Sequence, residues 1–324
     1  MTFSWEIAAL SVAAGTLIFL VLNRRRRRHI ELIEDALKHL YNCEYTKVSC
    51  TLESLSGALG YGREQAAAVV SELTRSKFIT LEGSELKLTS SGREYALKVI
   101  RVHRLWERHL ADETMVQEVD WHKQAEAKEH SLKQEQVSEL SRRLGHPVYD
   151  PHGDPIPGAD GSIPAVRGIP LQTFNKNAVV TITHVEDEPT SVYAQLVQRG
   201  LYPGMNLRVL DKLSDSLVIQ KEGIVFEIPL IVAANVRAVP EQRKKDTGPQ
   251  KTLATLRPGE EGIVSGISHG CRGLQRRRLM DLGIVPGTTV GAVMTSVSGD
   301  PTAYRIRGGV IALRKEQAEM VFLQ

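Results

Sequence analysis

The sequence is short of cysteine, of aromatics and of net charge. Its three cysteines, Cys43, Cys50 and Cys271, form an odd set with no CxxC spacing across 324 residues. That excludes a disulfide scaffold and predicts reduced thiols in a cytosolic body, with a thiolate zinc site disfavoured. The net charge is only +3, and Arg24 to Arg28 alone carry five positive charges, so the remainder sums to −2. Binding of nucleic acid by a uniformly basic surface is thereby excluded. No Ser/His/Asp order, phosphate loop or dinucleotide fingerprint occurs, so the chain does not read as an enzyme. Aliphatic residues, by contrast, are plentiful: hydrophobic types make up 42% of the chain against 5% aromatic. That is ample surface to bury, and it excludes disorder throughout. At roughly 100–200 residues per domain, the length suits two to four small domains.

The first thirty residues point to a membrane. Trp5 to Leu22 is apolar apart from Glu6 and small polar residues. Eighteen helical residues reach about 27 Å, enough for a bilayer core. Signal peptides carry positive charge before the apolar run, whereas here five arginines follow it and act as a stop-transfer signal. The expectation is a single-pass anchor in the inner, cytoplasmic membrane with everything after Asn23 inside. A short buried helix or a signal cleaved near Ala13-Ala14-Gly15 is the alternative.

Beyond the anchor, apolar spacing predicts helices over Ile30–Tyr41, Leu52–Leu59 and Arg63–Arg75, the last after a Gly60-Tyr61-Gly62 turn. Two short alternating runs, Phe78–Leu81 and Leu86–Leu88, flank Glu82-Gly83-Ser84 as a two-stranded wing. Thr89 to Gly92 opens a long helix to about Leu110. This is the order of a winged helix-turn-helix. A helix over about Val119–Leu144, broken near Ser131, comes next, then a proline- and glycine-rich loop from Gly145 to Pro170. The rest is β-rich and repeats itself. Leu196–Gly204 matches Leu279–Gly287 at an offset of 83, and Leu207 and Val290 keep that register. Each block has the layout of a small β-barrel.

Histidines and glutamates recur at helical spacing. His103 and Glu107 lie i, i+4 on one helix; His122, Glu126, Glu129 and His130 share a face of the next; Glu31 and Glu34 lie on the first. A solvated face is the ordinary reading of such a pattern. If the three faces converge, however, carboxylates and imidazoles without thiolate suit Mn²⁺ or Fe²⁺, and the ion relieves their mutual repulsion.

Residues 30 to about 158 resemble the DtxR/MntR family of metal-dependent repressors. The resemblance rests on His103–Thr114, then His122, Glu126, Glu129 and His130, then Leu144-Gly145-His146-Pro147 and Pro151–Pro157. It implies that Glu31, Glu34, His103, Glu126, Glu129 and His130 hold the ion, with Glu107 and His122 at an ancillary site of the iron-type branch. Glu126 stands where that branch carries cysteine, as in the manganese-type branch. Leu253…Gly259-Glu260-Glu261-Gly262…Arg278–Met280…Gly283–Gly287 and Arg307–Arg314 resemble FeoA-type SH3-like domains, and the first repeat is a degenerate copy. Such domains also partner ferrous-iron transporters. His184, His269 and Cys271 read as incidental.

The expected fold is α+β and multidomain: a transmembrane anchor at 1–28, a winged helix-turn-helix at 29–98 and a helical metal-binding and dimerisation domain at 99–146. A linker at 147–176, a degenerate FeoA-like barrel at 177–240, a linker at 241–251 and a FeoA-like SH3-like barrel at 252–324 follow. The expected function is a membrane-anchored, Fe²⁺- or Mn²⁺-dependent repressor, a homodimer on a palindromic double-stranded operator. Arg63, Glu64 and Gln65 would meet bases, with Arg75 and Lys77 at the far end of the same helix. The start of that helix is bland, Ala66-Ala67-Ala68, where the family usually has Pro, Ser and Thr. Residues 29–140 hold 14 lysines and arginines against 19 acidic residues, a net −5. Two divalent ions per protomer would nearly cancel that charge before the domain meets phosphate. The alternative is a membrane adaptor that senses metal and contacts a transporter through its FeoA-like domains without binding DNA.

Overall fold

The computed structural model describes the backbone of residues 3–114, 116–221, 223–241, 251–268 and 270–324, with side chains from residue 22 onwards. It divides into two compact units: Met1–His103 with Glu126–Ser138 and Pro157–Ile163, and Arg104–Ala125 with Glu139–Ile156 and Pro164–Gln324.

The first unit begins with one continuous helix, α1 (Phe3–Thr46), not a separate helix starting at Ile30. No helix-breaking Pro or Gly interrupts residues 16–46, so nothing in the sequence stops propagation through the arginines. The predicted anchor falls mostly on residues whose side chains lie outside the described set. Among the described residues no helix is long and apolar enough to cross a membrane. Helix α2 (Leu52–Leu59) opens with a reciprocal cap: Thr51 Oγ1 accepts from the Ser54 N–H at 3.2 Å, and Ser54 Oγ accepts from the Thr51 N–H at 3.3 Å. Gly60, at φ 66°, closes it in the left-handed region. Helix α3 (Arg63–Arg75) buries Ala66, Val69 and Leu73 and leaves its opposite face to solvent.

A hairpin follows, β1 (Ile79–Glu82) with β2 (Glu85–Leu88), each strand displaced about one residue from expectation. Helix α4 (Ser90–Glu113) leaves the hairpin at Gly92, where an added Cβ would lie 2.0 Å from the Phe78 carbonyl oxygen. Leu37, Leu40, Leu55, Leu73, Ile79, Ala96 and Ile100 form the core that joins these elements. The predicted Val119–Leu144 helix is two pieces, α5 (Trp121–Glu129) and α6 (Gln134–Arg143), interrupted at 130–133.

The second unit carries two antiparallel sheets. Strands β3 (Ile169–Pro170), β4 (Val179–Val185), β5 (Asn206–Lys212), β6 (Ser216–Lys221), β7 (Ile224–Pro229) and β8 (Val236–Pro240) form one, in the order β3-β8-β4-β5-β6-β7. Helices α7 (Thr190–Gln198) and α8 (Leu230–Ala233) pack on it. The other contains β9 (Glu261–Ile267), β10 (Thr289–Thr295), β11 (Thr302–Ile306), β12 (Gly309–Leu313) and β13 (Val321–Leu323), in the order β12-β11-β10-β9-β13. Helices α9 (Gly273–Asp281) and α10 (Lys315–Glu319) accompany it. The internal repeat is structural: Leu196 and Leu279 are both buried on α7 and α9, and Leu207 and Val290 are both buried on β5 and β10. The matching Pro-Gly turns place Gly204 at φ 93° and Gly287 at φ 86°. Residues 242–250 of the second linker, and residue 269, lie outside the described set.

Candidate metal centres and reading head

The first cluster sits in the first unit, where α1, α4 and α5 supply its members. Its centre is Glu129, 4% exposed. His103 Nδ1 is hydrogen-bonded to the Glu129 carboxylate. Lys38 Nζ donates to both oxygens of Glu129, at 3.2 and 3.1 Å, and lies 3.2 Å from His103 Nδ1. His130, just past the end of α5, turns Nδ1 to Glu34 Oε2 at 2.5 Å and Nε2 to Asp35 Oδ1 at 3.2 Å, with Glu129 Oε1 at 3.6 Å. Tyr95 donates its hydroxyl to the other oxygen of Glu34 at 2.7 Å.

The electrostatics follow from this crowding. Burial disfavours the His130 cation, but Asp35, Glu34 and Glu129 outweigh it and raise the imidazole to about 10. Burial likewise opposes ionisation of Glu129, yet His103, Lys38 and His130 hold its carboxyl below the ordinary range. The Lys38 ammonium therefore already stands beside the Glu129 carboxylate and the His103 imidazole.

Of the residues expected at this centre, Glu34, His103, Glu129 and His130 are brought together. Among the described residues, no hydrogen bond or ion pair joins Glu31 to them. Glu126 is exposed one turn before His130 and stands in neither ligand-spaced group of the unit. Lys38 and Asp35 were missed, although their spacing from Glu34, i+4 and i+1, is written in the sequence.

Glu107 and His122, expected beside that set, belong to a second cluster in the second unit. His122 Nδ1 lies 3.5 Å from Glu107 Oε1 and 2.8 Å from Asp187 Oδ2. His152, 1% exposed, has Nδ1 3.7 Å from Glu107 and 3.6 Å from Asp187. Among the described residues neither of its ring nitrogens has a hydrogen-bond partner. Glu107, Asp150 and His152 each offer an atom within 4.8 Å of the others. Oxygen and nitrogen ligands held about 2.0–2.2 Å from one ion stand roughly 3–3.6 Å apart, close to the His122–Glu107 and His152–Asp187 separations, while His122 and Asp187 are at direct hydrogen-bond distance.

Burial, with the Asp154 and Glu107 charges, pushes Asp150 up to about 7. Burial works against the His152 cation, but Glu107, Asp187 and Asp150 raise it to about 10. Alongside, His184 Nε2 meets Asp154 at 3.3 Å, and Arg104 meets the same carboxylate at 3.3 Å. Despite burial, Arg104 and His184 hold Asp154 well below the usual range. His184 is thus a working partner of an acidic group, not an incidental residue. Asp150 and His152 were legible only as markers of resemblance; Asp187 sat in an unremarked Glu186-Asp187-Glu188 triplet.

The terminal sheet is anchored beside this cluster. Arg272 donates to Glu118 at 2.9 Å and to the Pro151 carbonyl at 3.0 Å, over the rings of Trp121 and Tyr202. Arg277 donates to the Glu113 carbonyl at 2.9 Å, and Arg276 pairs with Asp112 at 3.4 Å. Cys271 is buried among the apolar groups of this sheet.

Arg63, Glu64, Gln65, Arg75 and Lys77 are all exposed, as are Ala67 and Ala68. Arg63 pairs loosely with Glu53 at 3.3 Å. Helix α3 ends at Arg75, so Lys77 lies just beyond it in a turn, at φ 59°.

Comparison with known proteins gives this geometry a context. Residues 89–158 match the model of an iron dependent repressor, metal binding and dimerisation domain, and residues 251–324 match a FeoA domain. The chain is 25% identical over 194 residues to the iron-dependent repressor IdeR of Mycobacterium leprae, covering 56% of this chain and 84% of that one. It is likewise 25% identical over 194 residues to the diphtheria toxin repressor of Corynebacterium diphtheriae, covering 56% and 86%. A solved manganese-dependent transcriptional repressor in complex with manganese superposes with a TM-score of 0.60 at 25% identity, over 64% of this chain and 99% of that one. In class, then, this is a metal-dependent regulator built on a helical head and a metal-binding dimerisation domain. These similarities support a DtxR-type regulator with a C-terminal FeoA domain.

Proposed function

We propose that the protein is a metal-dependent transcriptional repressor that uses Mn²⁺ or Fe²⁺ and acts as a homodimer on a palindromic duplex operator. The observation that carries this reading is the convergence of Glu34, His103, Glu129 and His130 from α1, α4 and the end of α5. Those four residues would hold the first ion. Glu107, His122, His152 and Asp187, with Asp150, would hold a second. When bound, each ion supplies positive charge and a cross-link between helices. Lys38 must leave the first centre for its ion to enter, so Glu129 exchanges one cation for another. The acidic head, net −5 over residues 29–140, then approaches phosphate with less repulsion. Arg63, Glu64 and Gln65 on the first turn of α3 reach base edges, and Arg75 and Lys77 flank them. No residue is given a catalytic role.

We further place residues 1–28 as a single-pass anchor in the cytoplasmic membrane, with the remainder inside. The support is the apolar run from Trp5 to Leu22 followed by five arginines. The domain boundaries given from the sequence, including two SH3-like barrels at 177–240 and 252–324, are part of the same proposal.

The test is binding of the full chain to its own promoter DNA with and without Mn²⁺ or Fe²⁺, across a salt series. Metal-dependent binding, with operator preference relaxed by Arg63→Ala, is expected. Failure to bind at every salt concentration, with or without metal, would replace this reading by the adaptor that contacts a metal transporter through its FeoA-like domains. The bland, alanine-rich start of α3 is the feature that favours that outcome.

A further inference from the structure

We propose that His39, Cys43 and Cys50 form a separate site for a thiophilic d¹⁰ ion, with Zn²⁺ as the ion of choice, in the core of the helical head. The three side chains each offer a ligand atom within 4.8 Å of the others. Cys43 and His39 are one turn apart on α1, and His39 Nε2 lies 3.6 Å from Cys43 Sγ. Cys50 immediately precedes the cap of α2. Its Sγ is 3.5 Å from Ser54 Oγ, and that hydroxyl is 3.1 Å from His39 Nε2. The hydroxyl therefore stands beside both an imidazole and a sulfur, at a fourth corner.

The His39–Cys43 and Cys50–Ser54 separations agree with a tetrahedron. Zinc–sulfur bonds of about 2.3 Å and zinc–nitrogen bonds of about 2.0–2.1 Å place ligand atoms roughly 3.4–3.8 Å apart. Both sulfurs are buried, Cys50 at 2% exposure, so the site is shielded from bulk solvent. It is chemically distinct from the two clusters above. Two sulfurs and an imidazole select a soft ion, whereas carboxylates and imidazoles select Mn²⁺ or Fe²⁺. It also sits at a different joint. An ion here would tie the end of α1 to the start of α2, the helix that precedes α3 in the reading head. Burial, partly relieved by Ser54, pushes the Cys50 thiol up to about 12. Cysteine count alone disfavours a thiolate zinc site; the fold brings together a pair seven residues apart.

The experiment titrates the full, reduced chain with Co²⁺ under anaerobic conditions and reads the sulfur-to-cobalt charge-transfer absorption in the near ultraviolet. One equivalent per chain should develop that band, and Zn²⁺ should abolish it. Cys43→Ser and Cys50→Ser should each lose it while still binding Co²⁺ elsewhere. Cys271→Ser and the double variant Glu129→Ala/His130→Ala should keep it, which separates this site from the proposed regulatory centre. His39→Gln leaves both sulfurs in place, so it should shift and weaken the band without removing it. Far-ultraviolet circular dichroism checks the fold of each variant. A folded wild-type chain that binds Co²⁺ with no such band, or a band that survives in Cys43→Ser, would overturn the proposal. So would a Cys43–Cys50 disulfide in the isolated protein with no band after its reduction, which would make the pair a redox couple instead.

Discussion

Replacing Lys38 by methionine should tighten Mn²⁺ binding at the first centre and weaken the metal-free fold. The ammonium lies 3.1 Å from the Glu129 carboxylate and 3.2 Å from His103, and its side chain is only 17% exposed. Two unit charges about 4 Å apart at an effective dielectric near 20 interact by roughly 4 kcal/mol. Lys38 can withdraw into water, so the ion faces only the cost of displacing it from Glu129, which for a charge-assisted hydrogen bond is about 2 kcal/mol. At about 1.36 kcal/mol per tenfold, that is roughly a 30-fold gain in Mn²⁺ affinity for Lys38→Met. The same change leaves Glu129 buried with one fewer cationic partner, so the metal-free variant should melt below the wild type and recover on adding Mn²⁺. Competition titration of the full chain against a chromophoric chelator, paired with thermal melts, measures both. An unchanged or weaker Mn²⁺ affinity in a folded Lys38→Met chain would refute the view that lysine and metal compete for one place.

Glu129→Gln should lower Mn²⁺ affinity by more than about 100-fold, since even outer partners of metal ligands contribute 10–100-fold; isothermal titration reads it. The stability of the metal-free chain should fall as pH rises. His130 and His152 are both raised to about 10 from an unfolded value near 6.5. The native state therefore holds more protons than the unfolded one in that window, so their stabilisation is complete below about 6.5 and lost towards about 10. Urea midpoints at three pH values across the window check the sign, and His152→Gln should flatten the slope. Arg272→Ala should loosen the terminal sheet by about 1–3 kcal/mol, because Glu118 and the Pro151 carbonyl lose a charged donor; a lower urea midpoint is the readout. Asp187→Ala should remove one of two bound ions and leave the other.

Sequence by itself determined the local elements and their chemistry. Helices α2 and α3 end where their caps and glycines stand, because Thr51, Gly60 and Gly62 act on their nearest neighbours in the chain. The repeat at offset 83 foretold matching glycines, because a left-handed turn permits little else. Glu34, His103, Glu129 and His130 were legible because helical spacing fixes which residues share a face. What spacing cannot fix is which faces meet. Only the tertiary structure joined Glu107 and His122 to Asp187 and His152, from loops far along the chain. Only the fold could set Lys38 against Glu129, 91 residues away, and bring Cys50 beside His39 and Cys43. These groupings depend on how buried surfaces pack, and packing is a property of the whole chain rather than of any window along it.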